Sequence, residues 1–149
     1  MMKREGMDTN GVKIVQPEEG MTIPTSTNLI FSRLDGTTPY NITVQTSNDF
    51  LMPDDVTDED LEGAAVLHFG GIALNKRFIE GAGSVIERAH AKNVRVGWDT
   101  VIDVHGLEKS EQAQEAMRKL DYFTPSMGEA PKITGLENPE ENLSYFSQT

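Results

Sequence analysis

The chain contains no cysteine, which excludes a disulfide scaffold and every thiolate metal site. Basic residues are few: 13 Lys+Arg stand against 24 Asp+Glu, a formal charge of −11. Such a surface repels phosphate backbones, so general nucleic-acid binding is excluded, as is docking on anionic membranes. No run of about 18 apolar residues exists, and no membrane-spanning helix is expected. Met1 to Gly11 is polar and lacks the apolar core of a signal peptide. There is no P-loop, no internal repeat and no low-complexity tract. His68, His90 and His105 lack metal-ligand spacing. What remains is 149 residues, 37% hydrophobic and 25% charged, the make-up of a soluble, acidic, cytoplasmic protein with the length of one domain.

Two regions read differently. Up to about residue 50 the chain is rich in Thr, Asn, Gly and β-branched residues. Ser26 to Leu34 has strand propensity, Asp35-Gly36 is a turn signal, and Tyr40 to Thr46 alternates with period two. Together they predict a small antiparallel sheet with one apolar face, to which Ile14-Val15 adds a short strand before Pro17.

From about residue 57 strands alternate with helices. Thr57 caps a short acidic helix start, and Ala64 to Phe69 is a short apolar run that reads as a buried strand. Phe78, Ile79, Ala82, Val85, Ile86 and Ala89 recur at helical spacing, with Asn75 as cap and Asn93 suited to a left-handed end. Val94 to Trp98 is the next strand, Ser110 opens a helix, Tyr122 to Thr124 is a third strand, and Asn138-Pro139 is a further helix entrance. Three strands interleaved with helices predict βαβ crossovers and a parallel sheet. Parallel sheets need both faces covered, and two long helices are too few, so the sequence reads as part of a larger doubly wound domain. On this pattern His68 is a core residue and His90 sits near a helix end.

The segment Thr124-Pro125-Ser126-Met127-Gly128-Glu129-Ala130, running on to Thr134-Gly135, follows a strand and opens a helix. Read locally, Ser126 caps that helix and Glu129 completes a capping box. The alternative is a ligand role, because ligands collect at the carboxyl ends of strands in open parallel sheets. Gly81-Ala82-Gly83-Ser84 lies inside the Phe78 to Ala89 helical pattern, where close packing is the simplest reason for its glycines.

Pro-Ser-x-x-Glu-Ala followed by Thr-Gly resembles the ribokinase-like (PfkB-type) carbohydrate kinases. Three other segments agree in order: Ala65 to Ile72 with their central strand, Val94 to Gly106 with their second strand and Asp-Thr-x-x-Asp turn, and Pro24 to Asp54 with their lid. The resemblance covers about residues 6 to 146, the middle of the family's longer chains. It implies β-lid strands over residues 12–50 and part of an α/β core over 51–149. It implies a kinase that transfers the γ-phosphoryl of ATP to a sugar hydroxyl with Mg²⁺, its acceptor a sugar or sugar-like molecule. Glu129 and Ser126 would belong to the metal and phosphate shell, Ser126 standing where many members have Asn. Asp99, Asp103, Asn28, Ile30 and Ile42 would lie on the substrate side, although turn formation accounts equally for the two aspartates. The family's Gly-Ala-Gly-Asp segment, which carries the base, has no counterpart here. The isolated chain is therefore expected to be inactive, and the alternative is a non-catalytic binding or dimerisation module, a homodimer through the lid sheet.

Overall fold

The computed structural model describes residues 2–20, 22–36, 40–44, 46–71, 75–100 and 110–148. They form two compact units, Met1–Leu51 and Met52–Thr149.

The first unit is built on β1 (Thr27–Phe31) and β2 (Tyr40–Val44), paired antiparallel with Leu29 opposite Ile42 and Thr27 opposite Val44. Gly36, at φ +73°, takes the left-handed conformation that a turn after β1 needs, and its N–H donates to the Arg33 carbonyl at 3.3 Å. At the open end the Ser26 hydroxyl accepts from the N–H groups of Thr46 and Asn48 at 3.0 and 3.3 Å. Because opposite residues share a face, the register gathers Leu29, Phe31, Ile42 and Val44 on one side, each 53% exposed. The expected apolar face is present and bare. The expected strand at Ile14-Val15 does not form: residues 12–18 have no regular structure and Ile14 is 76% exposed. Pro17 removes a donor there, and two residues are too few to hold a ladder.

The second unit starts with α1 (Asp58–Leu61), closed by a reciprocal capping box. The Asp60 N–H donates to the Thr57 hydroxyl at 3.2 Å, and the Thr57 N–H to the Asp60 carboxylate at 2.9 Å. Then come β3 (Val66–Gly70), α2 (Lys76–Ala91), β4 (Arg95–Asp99), α3 (Glu111–Arg118), β5 (Tyr122–Phe123), α4 (Ala130–Thr134) and α5 (Pro139–Gln148). The strands form one parallel sheet in the order β3-β4-β5. Asn75 caps α2, accepting from the Phe78 N–H at 3.0 Å, and Asn93 follows its end at φ 60°. Ser110 caps α3, accepting from the Ala113 N–H at 3.2 Å.

All six periodic residues of α2 are at most 5% exposed, and Val96 and Trp98 of β4 are fully buried in the same core. Fully burying the Phe, Ile and Val side chains among them contributes about 1.5–3 kcal/mol each. Phe69, Trp98, Phe123 and Phe146 form a chain of edge-to-face ring contacts with centroids 5.1–6.4 Å apart. The opposite face of the sheet is open. Val66 and Tyr122 are 53% and 46% exposed there, and His68 and Arg95 are also exposed. This corrects two expectations. Ala64–Phe69 is not a buried strand, because β3 lies at the sheet edge and only its Phe69 is buried. His68 is not a core residue, because the period-two alternation turns it to the uncovered face.

The glycines of α2 have unlike surroundings. A Cβ at Gly81 would stand 2.5 Å from Pro53 Cγ, whereas one at Gly83 would meet only Lys119 Nζ, at 3.7 Å. Gly83→Ala is expected to gain about 1 kcal/mol in urea denaturation. Gly81→Ala is expected to lose about 1–2 kcal/mol, as overpacking outweighs the helix gain.

Asp121 ties three elements. Its carboxylate accepts from the Val96 N–H at 2.7 Å and from His90 Nε2, on the last turn of α2, at 3.0 Å. These bonds, the Val96 amide first, hold its pKa below the ordinary 3.8. A depressed folded-state pKa gives stability that is present above the unfolded value and lost as pH falls through the folded one. Asp121→Asn is therefore expected to lower Tm at pH 7, with the gap to the parent closing below pH 3.8 in a series of thermal melts.

Candidate functional site

The carboxyl ends of the three strands are held level by backbone bonds. The Gly71 N–H donates to the Asp99 carbonyl and the Thr124 N–H to the Trp98 carbonyl, both at 3.0 Å. Asp99 ends β4 half-buried, in register with Gly70, which raises no side chain beside it. Asp103 and His105 lie outside the described residues.

Beyond β5 the backbone turns at Met127–Glu129 before α4 begins. Glu129 is 7% exposed, and its Oε2 accepts from the Ser126 N–H at 2.7 Å. Half of the expected capping box is thus formed. The other half is not: α4 begins at Ala130 rather than after Ser126, and Glu129 occupies the cap position. Gly128 and Pro131 explain the delay, since glycine disfavours the first turn and proline is suited to the start of a helix. Ser126 is exposed.

A single buried carboxylate suits one kind of cation. Mg²⁺ keeps several of its waters and binds through one or two carboxylates together with phosphate oxygens. Glu129, its orientation fixed by the Ser126 N–H, has the donor chemistry for such a hydrated ion. Among the described residues no group of three or more His, Cys, Asp or Glu could cage a metal directly.

The lid positions separate. Asn28 and Ile30 share one face of the small sheet, and Ile42, paired with Leu29, lies on the other. The three cannot all face one ligand. Gly81 to Ser84 lies wholly within α2, where the Ser84 hydroxyl donates to the Gly81 carbonyl at 2.8 Å.

Sequence reasoning missed a pocket of about 220 Å³ beside Ser126, walled by Phe123, Pro125, Met127, Pro139, Leu143 and Phe146. It also missed Asn142, which is 4% exposed. Its Nδ2 donates to the carbonyls of Leu136 and Asn138, both at 2.9 Å, and its Oδ1 accepts from the Thr134 hydroxyl. The Leu136 N–H in turn donates to Thr134 Oγ1 at 3.1 Å. This network joins the end of α4 to α5. The signal for the pocket was the spacing of Asn142, Leu143 and Phe146 on α5; nothing local marked Asn142 as buried.

With this geometry, the chain resembles a set of solved kinases. Fructokinase from Vibrio cholerae O395 matches with a TM-score of 0.70 at 18% identity, over 99% of this chain and 50% of that one. Adenosine kinase from Sinorhizobium meliloti matches at 0.70 and 22%, over 84% and 39%. An Escherichia coli ribokinase II candidate solved with ATP and Mg²⁺ matches at 0.63 and 16%, over 83% and 41%. No family model and no curated protein matches the chain in sequence. The chain therefore has the ribokinase-like α/β fold: a parallel sheet with helices and a separate two-stranded antiparallel sheet. It spans half or less of the length of these structures. Among the described residues no helix is long and apolar enough to cross a membrane.

Asn142→Ala is expected to cost about 2–3 kcal/mol in urea denaturation, because it strips partners from buried polar groups. Near-ultraviolet circular dichroism should then report loosened packing around Phe146.

Proposed function

We propose that this chain is the lid, over residues 12–50, and part of the α/β core, over 51–149, of a cytoplasmic ATP-dependent carbohydrate kinase. The observation that carries this reading is the superposition of 99% of the chain on a fructokinase at a TM-score of 0.70. The adenosine kinase match broadens the acceptor to a sugar or nucleoside hydroxyl. The match to a protein solved with ATP and Mg²⁺ supports those two cofactors.

Glu129, with Ser126, is assigned to the phosphate side. There Mg²⁺, when bound, would neutralise charge on the phosphate oxygens. The bond from the Ser126 N–H sets the carboxylate before any phosphate arrives, so little reorganisation is needed. Asp99 and Asp103 are assigned to the sugar side. Of the lid residues, Asn28 and Ile30 are assigned to the substrate side. Ile42, on the other face, fits a homodimer contact through the bare apolar side of the lid. The base that takes the hydroxyl proton is assigned to none of these residues.

The test is a coupled assay for ADP with ATP, Mg²⁺ and either fructose or adenosine. The 149-residue chain is expected to be silent. In the product of the complete reading frame, Glu129→Gln should lower kcat by about 10²-fold or more, the loss typical of one preorganised electrostatic group. Turnover by the 149-residue chain that disappears with Glu129→Gln would place the base inside it and overturn that assignment. A complete product that phosphorylates no sugar or nucleoside would overturn the kinase reading itself.

A further inference from the structure

Only one asparagine of the chain, Asn10, is followed by glycine. A glycine carries no Cβ, so its backbone nitrogen is open to close approach by the side chain before it. Asn28, Asn41, Asn93 and Asn142 precede Leu, Ile, Val and Leu, which crowd that approach.

The surroundings of Asn10 leave the pair accessible. Asn10 and Gly11 are both exposed, in a turn flanked by stretches without regular structure. One bond closes the turn, from the Val12 N–H to the Thr9 carbonyl at 3.1 Å. The Asn10 N–H donates to the Asp8 carboxylate at 2.9 Å. The N–H between those two, that of Gly11, has no acceptor among the described residues. A surface turn held this lightly opens at little free-energy cost.

The chain's one Asp-Gly pair is placed differently. At Asp35-Gly36 the Gly36 N–H donates to the Arg33 carbonyl at 3.3 Å. The Asp35 carboxylate accepts from Arg33 Nη2 at 2.8 Å and from Arg33 Nε at 3.2 Å. Both groups that would have to react are engaged there, and at Asn10-Gly11 the nitrogen is not.

We propose that Asn10 is a self-modification site, where a carboxamide becomes a carboxylate as the protein ages. The Gly11 backbone nitrogen attacks Asn10 Cγ. The N–Cγ bond forms, the Cγ–Nδ2 bond breaks, and ammonia leaves carrying the Gly11 amide proton. The product is a cyclic imide, which water then opens. Hydrolysis of the bond to Cγ leaves an aspartate in the ordinary linkage. Hydrolysis of the bond to the backbone carbonyl leaves the chain running through Cγ, one carbon longer. Water enters and ammonia departs, with no oxidation or reduction. Either product adds one negative charge to the existing −11, in the same turn as Asp8. The proposal rests on the first unit alone and not on the reading of activity.

The test follows the folded product of the complete reading frame through days of incubation at mildly alkaline pH. Trypsin releases Asn10 in the peptide Glu5–Lys13 and Asn28 in Ile14–Arg33. The first peptide should gain about 1 Da and divide into two chromatographic forms, one for each linkage. The second should keep its mass. Gly11→Ala should slow the gain about tenfold or more, because the added Cβ obstructs the attacking nitrogen. That variant is expected to fold, since nothing stands within 4 Å of the added Cβ and the backbone there is not left-handed. A synthetic Glu5–Lys13 peptide should react within about tenfold of the rate in the folded protein, as expected where local opening is nearly free. No mass gain at Asn10 overturns the proposal. So does a gain undiminished in Gly11→Ala, or a folded protein far slower than the free peptide, which would make the turn protective.

Discussion

A parallel strand pair cannot be closed by a tight turn; the chain has to travel back along the sheet before the second strand can start. That constraint organises the second unit. Between β3 and β4 the return path is α2, and its length is set by caps at both ends, Asn75 and the left-handed Asn93. Its apolar stripe must meet the sheet, and the stripe meets Val96 and Trp98. Everything at the carboxyl end inherits its position from this crossover. Asp99 sits where β4 stops, and the turn carrying Glu129 sits where β5 stops.

Much of this was legible in the sequence because the signals were local. Caps at Thr57, Asn75 and Ser110 were readable because a side-chain oxygen there meets an N–H two or three residues on, within the same short peptide. The six buried residues of α2 were readable because helical periodicity and burial are one pattern. The misreadings fell where the answer depends on what covers a strand. Ala64 to Phe69 is apolar enough for a buried strand, yet only Phe69 is buried, since burial also requires a neighbour on the other face. His68 followed the same error. Composition states what a strand could bury and is silent on whether anything arrives to bury it.

At the candidate site, local contacts were more legible than their geometry. The Ser126–Glu129 spacing signalled an interaction, and the interaction exists, but with the backbone N–H of Ser126 as donor and a later helix start. The lid shows a sharper limit. Asn28, Ile30 and Ile42 read as one group, and only the strand register reveals that Ile42 faces away from the other two. Register is a relation between two strands, and neither strand carries it alone.

The structural and ligand-binding readings of Glu129 are not rivals. Glu129 is 7% exposed, and a polar group buried that far is costly unless it is hydrogen-bonded. The Ser126 N–H supplies that compensation, and a charge-assisted bond of 2.7 Å also fixes the group's direction. A carboxylate free in solvent would have to be ordered each time a hydrated cation arrived. Pinning it once, during folding, moves that ordering cost out of the binding step. The same logic reconciles the chain's −11 charge with the phosphate ligand we propose. Net surface charge governs encounter at long range, and it is screened within about 10 Å at ordinary ionic strength. On the proposed reading, the few groups fixed at the strand ends, Glu129 among them, decide whether a phosphate is held, and not the net surface charge.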